Sequence, residues 1–505
     1  MIQAISDATG LGVPTLKLLL TLLGGYPTAY IYRSLFLRPI EGEDEGKAQR
    51  SIFLALSGLF WAYFYNGNDI IHSLICIAFT YAVCYIGVLT KQRLIANGLV
   101  FTFNLVYLLA GYVYNMQGDY DVSWTMPHCV LCLRLIGFGF DVMDGGEQLK
   151  ALEKGAKKEK DVVPDAQKTA PPKAATAPRG VAKTPVSFSG NCSLVEMPSI
   201  LETIGYCYFF SAFLIGPQFS FRLYKEFIQL KNLPIEKDGK LPSGANRAAL
   251  KAFLMGAFYL GLQQVLTGLY PSSVFTSAEF DQKSFFSKLV FTWVYGRGAV
   301  SKYLGAWTLN EGAVILSGIS YNGTDDNGNP DWGGLTNFNP YGFETATALS
   351  QIIATFNINT NFWVKQYIFK RLRFLNNKQL SSLGALVFLA IWHGIWPGYF
   401  LCFFLEFLDM ELETKLTKKF APLTAKWNKN PVTKFILHAY CYLYTSSALF
   451  YALAAFTLLR MGPIIQAYNS IYWVGHIIVV GGLLFQGFIP KFKDPASKES
   501  LKKTE

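Results

Sequence analysis

His393 stands in the apolar stretch LSSLGALVFLAIWHGIWPGYFLCFFL, Leu380–Leu405, which contains no Lys, Arg, Asp or Glu. An imidazole placed in hydrocarbon costs free energy, and ionisable groups found there mark functional sites by default. Upstream, ATFNINTNFWVKQYIFKRL puts Asn357, Asn359, Thr360 and Asn361 within little more than one helical turn. The cations Lys365, Lys370, Arg371 and Arg373 follow directly. An amide is donor and acceptor at once, and an unpaired one in lipid is penalised. One Asn could be satisfied by an interhelical hydrogen bond, worth about 0.6–2 kcal/mol. Three of them with a threonine require protein or a wet cavity around them.

A neutral imidazole accepts a proton from a hydroxyl, so His393 suits general-base work. An amide at the same depth could orient that ring or donate to a developing oxyanion. No GxSxG motif occurs, and Cys402 lies nine residues beyond His393. Direct attack by a substrate hydroxyl therefore fits better than a covalent enzyme intermediate.

Elements must bring the two groups together. Asn357 precedes Leu375 by 18 positions and His393 follows it by 18. If both flanks are helices, each residue lies about 27 Å from the tip of an antiparallel hairpin. Asn357 and His393 are then expected at one depth, facing a common cavity.

The rest of the chain supplies a membrane setting. Its 505 residues are 51% hydrophobic and only 16% charged. Runs such as Ile70–Thr90, Leu94–Gly118 and Met461–Pro490 carry no charge. They match the roughly 20 residues needed to cross a 30 Å hydrocarbon core. The expectation is an all-α polytopic membrane protein with about eleven spans. We place these near 14–36, 51–67, 70–90, 93–115, 122–143, 197–220, 247–275, 285–318, 342–370, 380–405 and 433–490, the last divided near Arg460–Pro463. Gly24–Gly25–Tyr26–Pro27, Gly216–Pro217 and Trp396–Pro397–Gly398 read as helix breaks, tolerated where the freed backbone is buried in protein.

Four regions follow from the pattern. Residues 1–146 are N-terminal membrane helices. Residues 147–190, with nine basic and five acidic side chains and five prolines, read as a disordered cytosolic linker. Residues 191–490 form the core, and 491–505 a lysine-rich cytosolic tail. Lys502 and Lys503 resemble a dilysine retrieval signal of the endoplasmic reticulum. The net charge of +11 fits orientation by basic cytoplasmic loops. No basic run is interleaved with aromatics as nucleic-acid binding would need. His128, Cys129 and Cys132 form an HCxxC, but one CxxC without a second ligand pair reads as packing, so no metal is expected. Asn191 and Asn322 head glycosylation sequons, and the cytosolic placement excludes the first. Ser317–Gly334, SGISYNGTDDNGNPDWGG, is a polar, turn-rich loop.

The histidine in IWHGIWPGY, with an Asn some 36 residues earlier, resembles the membrane-bound O-acyltransferase family. SGISYNG, TFNINTNFWVKQYIFKRLRFLNNK, WTMPHCVLCLRLIGF and GPQFSFRLY are most similar to its lysophosphatidylcholine acyltransferase branch. The resemblance runs from about Leu16 to the end, leaving 155–190 without a counterpart. Many members carry Trp before the Asn where this chain has Phe356.

The resemblance implies an endoplasmic-reticulum enzyme with a substrate tunnel, in which His393 and Asn357 fall on the catalytic pair. It implies acyl-CoA as co-substrate with no separate cofactor, and a lysophospholipid acceptor drawn from the membrane lipids. Asn359, Asn361, Trp392, Lys370, Arg371 and Arg373 are expected to contact substrate. A homodimer is left open, as are acylation of a protein or neutral lipid and, outside this chemistry, a transporter.

Overall fold

The computed structural model describes residues 2–37, 45–115, 123–159, 185–235, 241–325 and 327–490. Every named element among them is helical. Extended pairing is confined to two isolated bridges, Thr324 with Pro330 and Phe338 with Phe356. The chain opens with α1 (Ile2–Thr9), α2 (Val13–Phe36), α3 (Glu45–Asn66), α4 (Ile70–Leu89), α5 (Arg93–Tyr114) and α6 (Thr125–Glu159). After 184 come α7 (Ile200–Cys207), α8 (Phe221–Ile228), α9 (Ala245–Leu269), α10 (Ala278–Gln282) and α11 (Phe285–Ser317). Short helices α12 (Pro340–Glu344), α13 (Leu349–Thr355) and α14 (Ile358–Tyr367) precede α15 (Lys378–His393) and α16 (Pro397–Trp427). The described part ends with α17 (Pro431–Leu458), α18 (Met461–Ser470) and α19 (Val474–Phe485).

Among the described residues, five helices are long and apolar enough to cross a membrane, or up to seven when two bent helix pairs each count as one span. The expected all-α membrane protein is therefore present. Several expected spans take another form. The 197–220 segment is helical only over α7, after which its backbone leaves the helix until α8. The 342–370 segment is broken into three, and 380–405 into two at Gly394–Trp396. The break at Trp396–Pro397–Gly398 was legible. Gly24–Pro27 is not one, because α2 runs through Pro27. Helix α6 continues to Glu159, well into the segment read as a linker, and Ser187 beyond it is fully buried. Residues 160–184 and the tail from Lys491, with its dilysine pair, lie outside the described residues.

The chain divides into two compact units: Met1–Phe258 with Gly305–Asn337 and Asn357–Arg371, and Tyr259–Leu304 with Phe338–Phe356 and Leu372–Glu505. In the first, α6 is the core helix, with 78% of its apolar window buried against 17% for α9. Its Arg134 is fully buried and explains how the irregular backbone after α7 survives there. The guanidinium donates to the carbonyls of Tyr206, Cys207, Ala212 and Pro217 at 2.7–3.3 Å and lies 4.6 Å over the Phe219 ring. Asn310 adds donors to the carbonyls of Ser211 and Gly216. Five donors in a planar fork can satisfy several carbonyls that lipid could not.

In the second unit, α16 and α17 pack closely. The backbone N–H of Gly398 donates to the Leu459 carbonyl at 2.9 Å. A Cβ at position 398 would lie 2.1 Å from the Ala455 carbonyl oxygen. Only glycine permits that approach, the usual role of small residues between membrane helices.

Candidate functional site

Asn357 is the hinge between α13 and α14 and belongs to the first unit. Its backbone is left-handed, φ 48° and ψ 44°, a conformation Asn adopts more readily than most residues. The continuous helix expected across it is thus replaced by a sharp turn, and the hairpin arithmetic that assumed a straight helix does not hold on this flank. The turn offers the Asn357 side chain to a neighbouring loop. Asn337 Nδ2 donates to Asn357 Oδ1 at 3.3 Å, and the Asn337 carbonyl accepts the Ile358 N–H at 3.1 Å.

Asn359 is fully buried. Its Nδ2 donates to the Leu335 and Thr336 carbonyls at 3.1 Å, and its backbone N–H donates to Asn337 Oδ1 at 3.1 Å. These bonds occupy the amide nitrogen in holding the loop, while Asn359 Oδ1 is buried with no hydrogen-bond partner among the described residues. Asn361 is half-buried, with its N–H bonded to the Asn357 carbonyl.

The loop itself is the polar segment singled out above. It folds back through paired Asn322–Asp331 and Asp331–Gly323 backbone bonds. Ser320 Oγ donates to the Trp332 carbonyl and accepts the Leu335 N–H. The result delivers Thr336, whose hydroxyl donates to Glu311 Oε1 on α11 at 2.7 Å. The Asn337 N–H is directed at the same carboxylate.

Glu311 and Asn337 escaped the sequence reading. Yet Glu311 is the sole acidic or basic residue between Lys302 and Asp325, and the criterion that flagged His393 applies equally to it.

His393 belongs to the second unit and is the last residue of α15. Gly394 (φ +135°) turns the chain, and Pro397 opens α16 without needing a backbone N–H partner. The imidazole is partly exposed and sits in an aromatic box. Trp392 lies 4.6 Å away, Tyr399 5.5 Å, Phe403 5.5 Å and Phe456 5.2 Å. Among the described residues, nothing hydrogen-bonds either ring nitrogen, so the proton-accepting atom is not spent on the protein. Phe403 also lines an apolar cavity of about 600 Å³ together with Leu383, Leu386, Ala390, Pro397 and Phe404.

The basic residues separate. Arg371 pairs with Asp144 of α6, with one contact at 3.0 Å, and lies 4.9 Å over Phe140. Lys370 is exposed and bonds Gln366 at 2.6 Å, and Arg373 is exposed. The HCxxC residues pack within the helices. Cys129 donates to the Met126 carbonyl, Cys132 to that of Asn104, and His128 meets Cys76.

Residues 109–454 match the model of the membrane-bound O-acyltransferase family. The chain belongs to that family. This member is 35% identical to lysophospholipid acyltransferase 5 of Drosophila melanogaster, over 97% of this chain and 87% of the relative. It is likewise 35% identical to lysophospholipid acyltransferase 5 of Homo sapiens, over 100% and 94%. Lysophospholipid acyltransferase 1 of Arabidopsis thaliana is 24% identical over 97% of each chain.

Proposed function

We propose that this acyltransferase moves a fatty acyl chain from acyl-CoA to the sn-2 hydroxyl of a lysophospholipid during phospholipid remodelling. Lysophosphatidylcholine is the first acceptor in this reading, with lysophosphatidylethanolamine and lysophosphatidylserine beside it. The observation that carries the reading is similarity over the whole chain to lysophospholipid acyltransferases of animals and plants.

In the proposed reaction His393 removes the sn-2 hydroxyl proton, and the oxygen attacks the thioester carbonyl carbon. The C–S bond then breaks, and the proton passes to the departing thiolate. The products are an ester and free CoA thiol, and no cofactor enters the balance. Asn357 steadies the reacting groups as charge develops. The unspent imidazole nitrogens support the base assignment, and the apolar cavity along α15 and α16 suits an acyl chain. Asn359, Asn361 and Trp392 are kept as substrate contacts, with Lys370 and Arg373 meeting the CoA phosphates. The finer architecture belongs to the same proposal: about eleven spans enclosing a tunnel in the endoplasmic-reticulum membrane, with a cytosolic C-terminus.

Purified protein offered a panel of lysophospholipids and acyl-CoAs should form diacyl phospholipid, followed by mass spectrometry. His393→Ala should abolish transfer while leaving the melting temperature unchanged. Near-normal turnover in that variant would sink the base assignment. Loss of acyl-CoA consumption by the wild-type protein on every acceptor would leave the transporter reading instead.

A further inference from the structure

We infer that Asn337 is a positioning residue: it turns the Asn357 amide so that Nδ2, a donor, is the end offered to the acyl carbonyl oxygen. This rests on the acyl-transfer reading above and goes further, because that reading left open whether the amide works as donor or acceptor.

Amide oxygen and nitrogen are alike in size, so only the hydrogen-bond network assigns them. Here the assignment starts from a group that cannot flip. The backbone N–H of Asn359 can only donate, and it points at Asn337 from 3.1 Å. The atom receiving it must be Oδ1, and the other end of Asn337 must be Nδ2. That Nδ2 lies 3.3 Å from Asn357, so the atom it meets is Asn357 Oδ1. Asn357 Nδ2 is then directed elsewhere, and among the described residues it has no partner. The opposite orientation would set two NH₂ groups against each other and lose the bond.

Asn337 is itself held from two sides. Its carbonyl accepts the Ile358 N–H, while the adjoining Thr336 hydroxyl is bonded to Glu311 of α11. Asn359 Nδ2 grips the Leu335 and Thr336 carbonyls just before it. With Asn337 buried to 4% exposure, the hub is too constrained to follow a flip of its neighbour. A preorganised N–H donor is what a thioester oxygen gaining negative charge requires.

The test is Asn337→Asp. A carboxylate still accepts the Asn359 N–H but offers Asn357 only acceptors, so the Asn357 amide rotates and presents Oδ1 outward. We expect kcat to fall about a hundredfold, the scale of one lost oxyanion donor. KM for both substrates should stay within about threefold, the signature of an interaction made only in the transition state. In an Asn357→Ala background the same change should cost nothing further, because both substitutions remove one interaction. Normal kcat in Asn337→Asp, or losses that multiply in the double variant, would overturn the proposal. If the added charge beside Glu311 unfolds that variant, Thr336→Val releases the loop from Glu311 without a new charge. It should lower kcat about three- to tenfold at unchanged KM, and an unchanged kcat overturns the proposal there. Asn357→Ala alone separates the two levels. If it is as active as wild type, the catalytic reading of Asn357 has failed. If it is inactive while Asn337→Asp is normal, only the orientation proposal has failed.

Discussion

Arg371 and Arg373 are two residues apart and carry the same charge, yet the structure gives them different work. The Arg371 guanidinium is held by the Asp144 carboxylate and rests on Phe140, whereas Arg373 projects from the surface. A two-pronged guanidinium–carboxylate pair fixes geometry as well as charge, so Arg371 is a clasp between α6 and the short helical turn Phe369–Leu375 that follows α14. Arg371→Ala and Asp144→Asn should each lower stability by about 1 kcal/mol, the upper range for a half-exposed pair with a cation–π contact, seen as matching drops in melting temperature. Arg373→Ala should leave melting unchanged and raise KM for acyl-CoA about three- to tenfold if it meets phosphate as a charge-assisted donor. Equal kinetic effects from both arginines would contradict this division. The basic cluster was plain in the sequence. Which cation was already spent was not, because Asp144 lies more than 200 positions away.

At the scale of elements, the lesson comes from segments that sequence expected to be straight helices. Thr203–Phe221 is as apolar as any span, but α7 stops at Cys207 and the chain wanders to Ser220. Hydropathy reports only that a segment avoids water and says nothing about which groups receive its backbone. Arg134 and Asn310 receive it, from two distant helices. Arg134→Met, similar in bulk but without donors, should leave the buried carbonyls of Cys207, Ala212 and Pro217 unsatisfied, since that of Tyr206 keeps the Phe209 N–H, and cost about 3–5 kcal/mol. The readout is loss of the monodisperse peak in detergent, with Arg134→Lys intermediate because an ammonium cannot span the same fork. A fully stable Arg134→Met would show that water or lipid satisfies those carbonyls. The turn at Asn357 has the same origin. Three amides in one stretch flagged polarity, while the left-handed residue that aims the side chain depends on the loop ending at Asn337.

For the whole molecule, the proposed odd number of spans has a direct consequence. Eleven crossings put the two termini on opposite faces, so protease added to sealed microsomes should remove a tag at the C-terminus and spare one at Met1. Cleavage of both tags would mean an even count and remove the eleven-span reading. Composition alone determined that this chain is helical and lives in a membrane, because uncharged runs of about 20 residues have few other stable homes. Sequence also marked His393 and Asn357, since a costly polar group in an apolar run is visible without coordinates. It did not determine that the Asn359 amide nitrogen holds a loop, or that Asn337 and Glu311 stand behind Asn357. Those facts reside in hydrogen bonds between residues 20 or more positions apart. A buried donor or acceptor must find its partner somewhere, but only the packed chain decides which one.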